Sequence, residues 1–175
     1  VGGYLQAATA LATEFLSKGD LLVYNKGAHY PREDFKSPRD GRLKEIPLSV
    51  LVNENSASAS EIFAGAMQDL DRALIVGRRT FGKGLVQVPF ELRDGSVVRL
   101  TVARYYTPSG RSIQKSYAKG FEAYAEDIED RYLHGEFYSA DSISRPDTTR
   151  YYTRMGRVVY GGGGITPDIF TPRDS

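Results

Sequence analysis

Residues 46–87 read IPLSVLVNENSASASEIFAGAMQDLDRALIVGRRTFGKGLVQ. The first seven are mostly apolar and run into Asn53-Glu54-Asn55, the pattern of a buried strand whose C-terminal end is delivered to a polar site. Ser56 to Ser60 alternates serine with alanine, so no bulky side chain crowds a ligand there. Ile62, Phe63, Ala66, Met67 and Leu70 then share one face at helical spacing. Leu74-Ile75-Val76 predicts a second buried strand, followed by a lysine between glycines, Phe81-Gly82-Lys83-Gly84. The serines therefore fall where a strand turns into a helix N-terminus, where free N–H groups and the helix dipole favour negative charge.

The commoner reading of such serines is structural. Serine is a preferred N-cap, and Ser58 with Glu61 three residues on fits a capping box. A serine nucleophile also needs a base, which the rest of the chain must supply.

At 175 residues the chain has the size of one domain with a real core. Its 23 basic and 22 acidic residues nearly balance, so neither a nucleic-acid partner nor a charged membrane surface is indicated. Without cysteine it has no thiol nucleophile, disulfide or thiolate metal site. No apolar run is long enough to span a bilayer, and no signal peptide is visible. The chain opens at Val1-Gly2-Gly3, and we expect it to be a piece excised from something longer.

From the start, Leu5, Ala8, Ala12, Phe15 and Leu16 predict a helix after the Gly2-Gly3 pair, ended by Lys18-Gly19. Residues 21–24 read as a short strand, and the polar stretch 25–44 as a surface loop or weak hairpin. Residues 84–92 and 97–106 predict two strands joined by Arg93-Asp94-Gly95-Ser96, a hairpin turn. Residues 116–154 form an inserted arm, with an exposed acidic and aromatic helix to about Leu133 and no recognisable chemistry. Gly161 to Gly164 then turns into a short last strand.

Candidate bases are few. His29 lies in the charged loop and His134 in the arm, so a Ser-His-Asp triad is disfavoured, and the two histidines make a poor metal site. Lys83 sits at a strand start, where an ordinary solvent-exposed turn lysine is the simplest expectation. A lysine acts as a base only when neutral, and its ordinary pKa of about 10.4 must first be lowered by burial. The flanking glycines would let Lys83 fold inward. Gln87, four residues on along the presumed strand, would share its face and orient the amine without adding charge.

The run Ser56 to Asp69, with Val76-Gly77 and Thr80-Phe81-Gly82-Lys83-Gly84, resembles the carboxyl-terminal processing (tail-specific) proteases, serine peptidase family S41. Gly2-Gly3, Tyr105-Tyr106-Thr107-Pro108-Ser109-Gly110-Arg111 and Gly163-Gly164-Ile165-Thr166-Pro167-Asp168 match as well. The resemblance covers most of the chain apart from the arm. It implies an α/β fold, the spiral of sheet and helices shared with Clp proteases and crotonases, over one catalytic core at residues 1–175 that is truncated on its N-terminal side.

It also implies roles: Ser58 as nucleophile, Lys83 as general base, Gln87 as its orienting partner. The oxyanion hole would be the N–H of Ala59 and that of Gly2 or Gly3, a choice left open. Asp69 occupies a position implicated in some members, though on a helix it suits a structural part equally. The implied activity is endoproteolysis of proteins selected by their C-terminal tails, through an acyl-enzyme, without cofactor or metal. Partners would be a protein or peptide substrate and a PDZ domain in the full-length chain, with no nucleic acid and self-association possible. A bacterial, periplasmic or exported setting follows from the same resemblance. Lacking the PDZ domain and a lead-in strand, the isolated chain is expected to be weakly active or inactive. The rival classes are a non-catalytic hydrophobic-ligand-binding module of the same fold and a scaffold that associates through the arm. Retention of Ser58, Lys83 and Gln87 together argues against the first.

Overall fold

In a computed structural model of the chain, residues 2–145 and 147–174 are described. Nine strands and three helices follow in the order α1 (Leu5–Thr13), β1 (Leu21–Lys26), β2 (Glu33–Lys36), β3 (Ser49–Val52), α2 (Ala59–Asp69), β4 (Leu74–Gly77), β5 (Leu85–Glu91), β6 (Val97–Tyr106), α3 (Gly120–Leu133), β7 (Tyr151–Tyr152), β8 (Val158–Val159) and β9 (Ile169–Phe170) among those residues.

β3, β4 and β9 make a parallel sheet in that order, with α2 as the crossover between β3 and β4. β2, β1, β6 and β5 make an antiparallel sheet, in which β5 and β6 are the expected hairpin. Its turn closes with the Leu92 N–H donating to the Ser96 carbonyl at 2.8 Å, and Gly95 supplies the positive φ of 83°. The stretch 25–44 contains the expected weak hairpin, β1 against β2.

The core lies between the sheets and α2, whose Ile62, Ala64, Ala66 and Met67 are buried with Leu22, Val23, Ile75, Ile113 and Ile165. Small residues bring α2 close to its neighbours. A Cβ on Gly65 would stand 2.8 Å from Thr107 Cγ2 and 3.1 Å from Ile165 Cδ1. α1 lies on the same helix, with Phe15 and Phe63 edge to face at 6.2 Å.

One expectation needs correction. Residues 46–52 are not a buried strand: only Ser49–Val52 pairs, β3 is a sheet edge, and Leu51 is 80% exposed. A wholly apolar run satisfies an edge as readily as a centre, because periodicity alone does not count neighbours. The arm contains the expected helix, α3, largely exposed and anchored near its C-terminal end. Arg131, Glu136 and Phe137 are buried against the body of the protein.

Asp69 ends α2 in a structural role. Its Oδ1 accepts from Arg111 Nη2 at 2.7 Å and Nε at 3.1 Å, and its Oδ2 from the Ser109 N–H at 3.0 Å. Arg111 also donates to Gln68 Oε1 and to the Tyr160 carbonyl. Both side chains are essentially excluded from solvent. Removing one partner of such a pair leaves a buried charge uncompensated. Arg111→Met should therefore cost on the order of 3–5 kcal/mol, read as a lowered urea midpoint; an unchanged midpoint would contradict this account.

A second tie is pH-sensitive. Glu14, just past α1, is hydrogen-bonded by Arg42 and Arg39, which hold its carboxyl down to about 2. A depressed carboxyl contributes stability above its ordinary range and loses it as pH falls toward the folded value. Glu14→Gln should thus destabilise the protein at neutral pH, with the difference from wild type shrinking between pH 4.5 and about 2. A difference that stays constant across that window would refute the linkage.

Candidate functional site

Ser58 stands between the end of β3 and the first turn of α2, half-buried. Its backbone lies at φ 58°, ψ −117°. A serine serving only as N-cap normally keeps extended φ and ψ. A positive φ on a side chain with a Cβ costs about 1–3 kcal/mol and persists only where the surroundings impose it. The cap reading thus accounts for the position of Ser58 but not for its conformation.

Glu61 holds the amide of that residue. It is fully buried, and its Oε2 accepts the Ser58 N–H and the Lys83 N–H, each at 2.8 Å. Its Oε1 accepts the Gly82 N–H at 2.7 Å and the Thr80 hydroxyl at 2.5 Å. One carboxylate therefore joins the serine turn to the Thr80–Gly84 loop. Burial pushes the Glu61 carboxyl up and the four donors pull it back. All four suit the anion, since Thr80 Oγ1 itself accepts from the Ile165 N–H and so has its proton free for Glu61. Glu61 was legible as half of a capping box; its reach to Thr80, Gly82 and Lys83, which come together only in the fold, was not.

The side chains of the candidate dyad are not engaged with each other. Lys83 is exposed rather than folded inward, and among the described residues its amine shares no hydrogen bond with Ser58. Both amides beside it are turned into the protein by Glu61, which fixes the backbone and leaves the side chain outside. Gln87 does not meet Lys83 either. It is exposed and donates to Thr101 Oγ1 at 3.4 Å. Lys83 precedes β5, which begins only at Leu85, so the strand alternation that would have put the two on one face does not extend back to it.

The lysine with a lowered pKa is Lys115. Burial pushes it down, against the Asp127 carboxylate at 3.0 Å. Its ammonium is committed there, 4.1 Å from the Phe81 ring centroid and 4.3 Å from that of Tyr124. His29 and His134 are exposed, and His134 contacts only the carbonyl of Asp130 in its own helix. Among the described residues no three His, Asp or Glu side chains stand close enough to share a metal ion.

Gly2 and Gly3 differ in their surroundings. A Cβ on Gly2 would meet the Ala57 carbonyl at 2.7 Å and Ser58 Cβ at 3.0 Å, whereas one on Gly3 would meet nothing within 4 Å. Gly2 is the point of close approach to the serine turn. Ala59 opens α2, so its N–H has no acceptor within the helix. Beside these amides runs a cleft of about 370 Å³, lined by Tyr4, Ala8, Leu11, Val50, Val52 and Phe63. The arrangement offers a strained serine, backbone donors, an apolar recess and a lysine loop, all converging on the N-terminus of α2.

The model of peptidase family S41 matches residues 1–124. A carboxyl-terminal-processing protease of Synechocystis sp. is 46% identical over 114 residues, which are 65% of this chain and 26% of the relative. A probable CtpA-like serine protease of Staphylococcus haemolyticus is 37% identical over 154 residues, covering 86% of this chain and 30% of the relative. Among solved structures, a photosystem II D1 C-terminal processing protease superposes with a TM-score of 0.66 at 31% identity, over 98% of this chain and 32% of that one. The likeness extends through the mixed α/β fold. The chain thus spans about a quarter to a third of the length of these relatives. It belongs to peptidase family S41.

Proposed function

We propose that this chain is the catalytic core of a serine endopeptidase acting on protein tails, with Ser58 as nucleophile and Lys83 as general base. The observation that carries the reading is the single Glu61 oxygen accepting the amides of both residues. It keeps the two backbones in fixed relation, so that bringing amine and hydroxyl together needs only side-chain rotation. Neutral Lys83 would take the Ser58 proton, the alkoxide would attack the peptide carbonyl, and the protonated amine would return its proton to the leaving nitrogen. The Ala59 N–H and an amide of the Gly2-Gly3 pair would receive the developing oxyanion, a contribution of roughly 3–4 kcal/mol for one such donor. The apolar cleft suits an apolar side chain next to the scissile bond.

The exposure of Lys83 gives the reading a condition. A base lysine must lose water, and a substrate strand over Ser58, or another part of a longer protein such as a PDZ domain, would supply the cover. Gln87 then has an orienting role only if it leaves Thr101. The isolated chain is accordingly expected to be weakly active or inactive. Export from the cytoplasm is part of the same proposal.

In the full-length protein, Ser58→Ala and Lys83→Ala should each lower kcat on the order of 10⁴-fold, with KM for an unfolded substrate little changed. A fluorophosphonate should phosphonylate Ser58 and no other serine, with loss of HF, adding the mass of the reagent less HF. Wild-type turnover by Ser58→Ala would sink the proposal. Glu61→Gln puts an amide N–H where only donors face it, at about 1–3 kcal/mol for each donor left unsatisfied. It should lower kcat on the order of 10²-fold through misplacement of the serine turn and the lysine loop. Activity within twofold of wild type in that variant would show that the carboxylate link is dispensable.

A further inference from the structure

Resting on the hydrolase reading, we infer that the arm is the second half of the clamp that fixes the lysine loop, and that Arg131 in α3 is a positioning residue for Lys83. The family model ends at residue 124, before this residue.

The polar backbone groups of residues 79–84 are held from two sides. From α2, Glu61 takes the amides of Gly82 and Lys83. From α3, the Arg131 Nη2 donates to the Arg79 carbonyl at 2.6 Å and Nη1 to the Thr80 carbonyl at 3.0 Å. Arg131 is 5% exposed, and its Nε donates to Glu136 Oε1 at 2.8 Å. The same carboxylate receives Arg79 Nε at 2.8 Å and Nη2 at 2.6 Å, and Arg79 Nη1 reaches the Gly163 carbonyl. Lys115 and Gln114 close the far end of the loop, the first through its N–H to the Gly82 carbonyl and the second through its amide oxygen to the Gly84 N–H. The aromatic face of α3 backs this up: Tyr124 lies edge to face on Phe81 at 6.2 Å and stacks on Tyr117 at 4.0 Å.

A guanidinium that grips two successive carbonyls fixes the direction of that peptide unit, as a planar fork can and a point charge cannot. The amides pulled toward Glu61 and the carbonyls pulled toward Arg131 lie on the same six residues. Together they decide where Lys83 leaves the backbone, hence the reach of its amine to Ser58. Loss of Arg131 leaves Glu136 still paired with Arg79, so no buried carboxylate is orphaned and the fold survives the change.

The test uses the full-length protein with Arg131→Met and Arg131→Lys, and Ser58→Ala alongside. Two readouts are taken: amide hydrogen exchange across residues 79–84, and the pH profile of kcat on an unfolded substrate. The expected result is faster exchange in 79–84 with the interior of α2 unchanged, kcat lowered about 10–100-fold with KM within about threefold, and a displaced acid limb. Arg131→Lys should recover part of kcat at most, since one ammonium does not span both carbonyls. Unchanged exchange in 79–84 overturns the clamp. Faster exchange with wild-type kcat and pH profile overturns the positioning of Lys83 and leaves the protease reading standing. Faster exchange throughout the protein also overturns it, because Arg131 would then be a general stabiliser. Wild-type activity in Ser58→Ala would remove the hydrolase reading and the catalytic role of Arg131 with it, while the exchange data still decide the clamp.

Discussion

A carboxylate removed from water must be repaid by hydrogen bonds, and Glu61 collects four, from Ser58, Thr80, Gly82 and Lys83. Much else follows from that need. Three of the donors are backbone amides, so satisfying the charge fixes the course of two loops. Ser58, with its positive φ, has its N–H held by the same carboxylate. The same constraint turns the Gly82-Lys83 amides inward and so sends the Lys83 side chain outward.

The α2 helix carries this carboxylate in a frame built to resist displacement. Its small residues let Thr107 and Ile165 approach the backbone, and its far end is tied through Asp69 and Gln68 to Arg111. Ile165 in turn bonds Thr80 in both directions, N–H to hydroxyl and carbonyl to N–H. The glycine-rich turn before β9 thereby supports the lysine loop from below. Parallel pairing of β4 with both β3 and β9 brings these stretches together, although about 85 residues separate Thr80 from Ile165 along the chain.

The parts legible in the sequence were those set by local pattern. The face of α2 made by Ile62, Ala66 and Met67, the Asp94-Gly95 hairpin and the helix ending at Leu133 all follow from periodicity and turn chemistry. What stayed hidden depends on neighbours distant in sequence. Leu51 looked buried because an apolar run carries no record of which strand lies beside it. Gln87 looked aligned with Lys83 because a residue spacing does not show where the strand begins, and β5 starts at Leu85. The arm looked empty of chemistry because Arg131 and Glu136 are, in sequence, two more charges in a charged stretch; only the burial of Arg131 against the Arg79 and Thr80 carbonyls, and of Glu136 against the two guanidiniums, distinguishes them.

The exposed Lys83 is the point at which architecture and chemistry meet. A lysine buried beside Ser58 in the resting state would carry a standing desolvation cost and a reactive pair ready to attack any chain that reached it. Holding the backbones of both residues on Glu61 while leaving the amine in water separates these two requirements. In the proposed dyad, alignment would be prepaid by the fold and desolvation left to whatever covers the site. A substrate segment extended along the free edge of β3, where Leu51 is exposed, would pass the apolar cleft and screen the serine turn together. In such an arrangement the energy of binding the tail is spent on making the base, so that residues far from the scissile bond raise kcat rather than only lower KM.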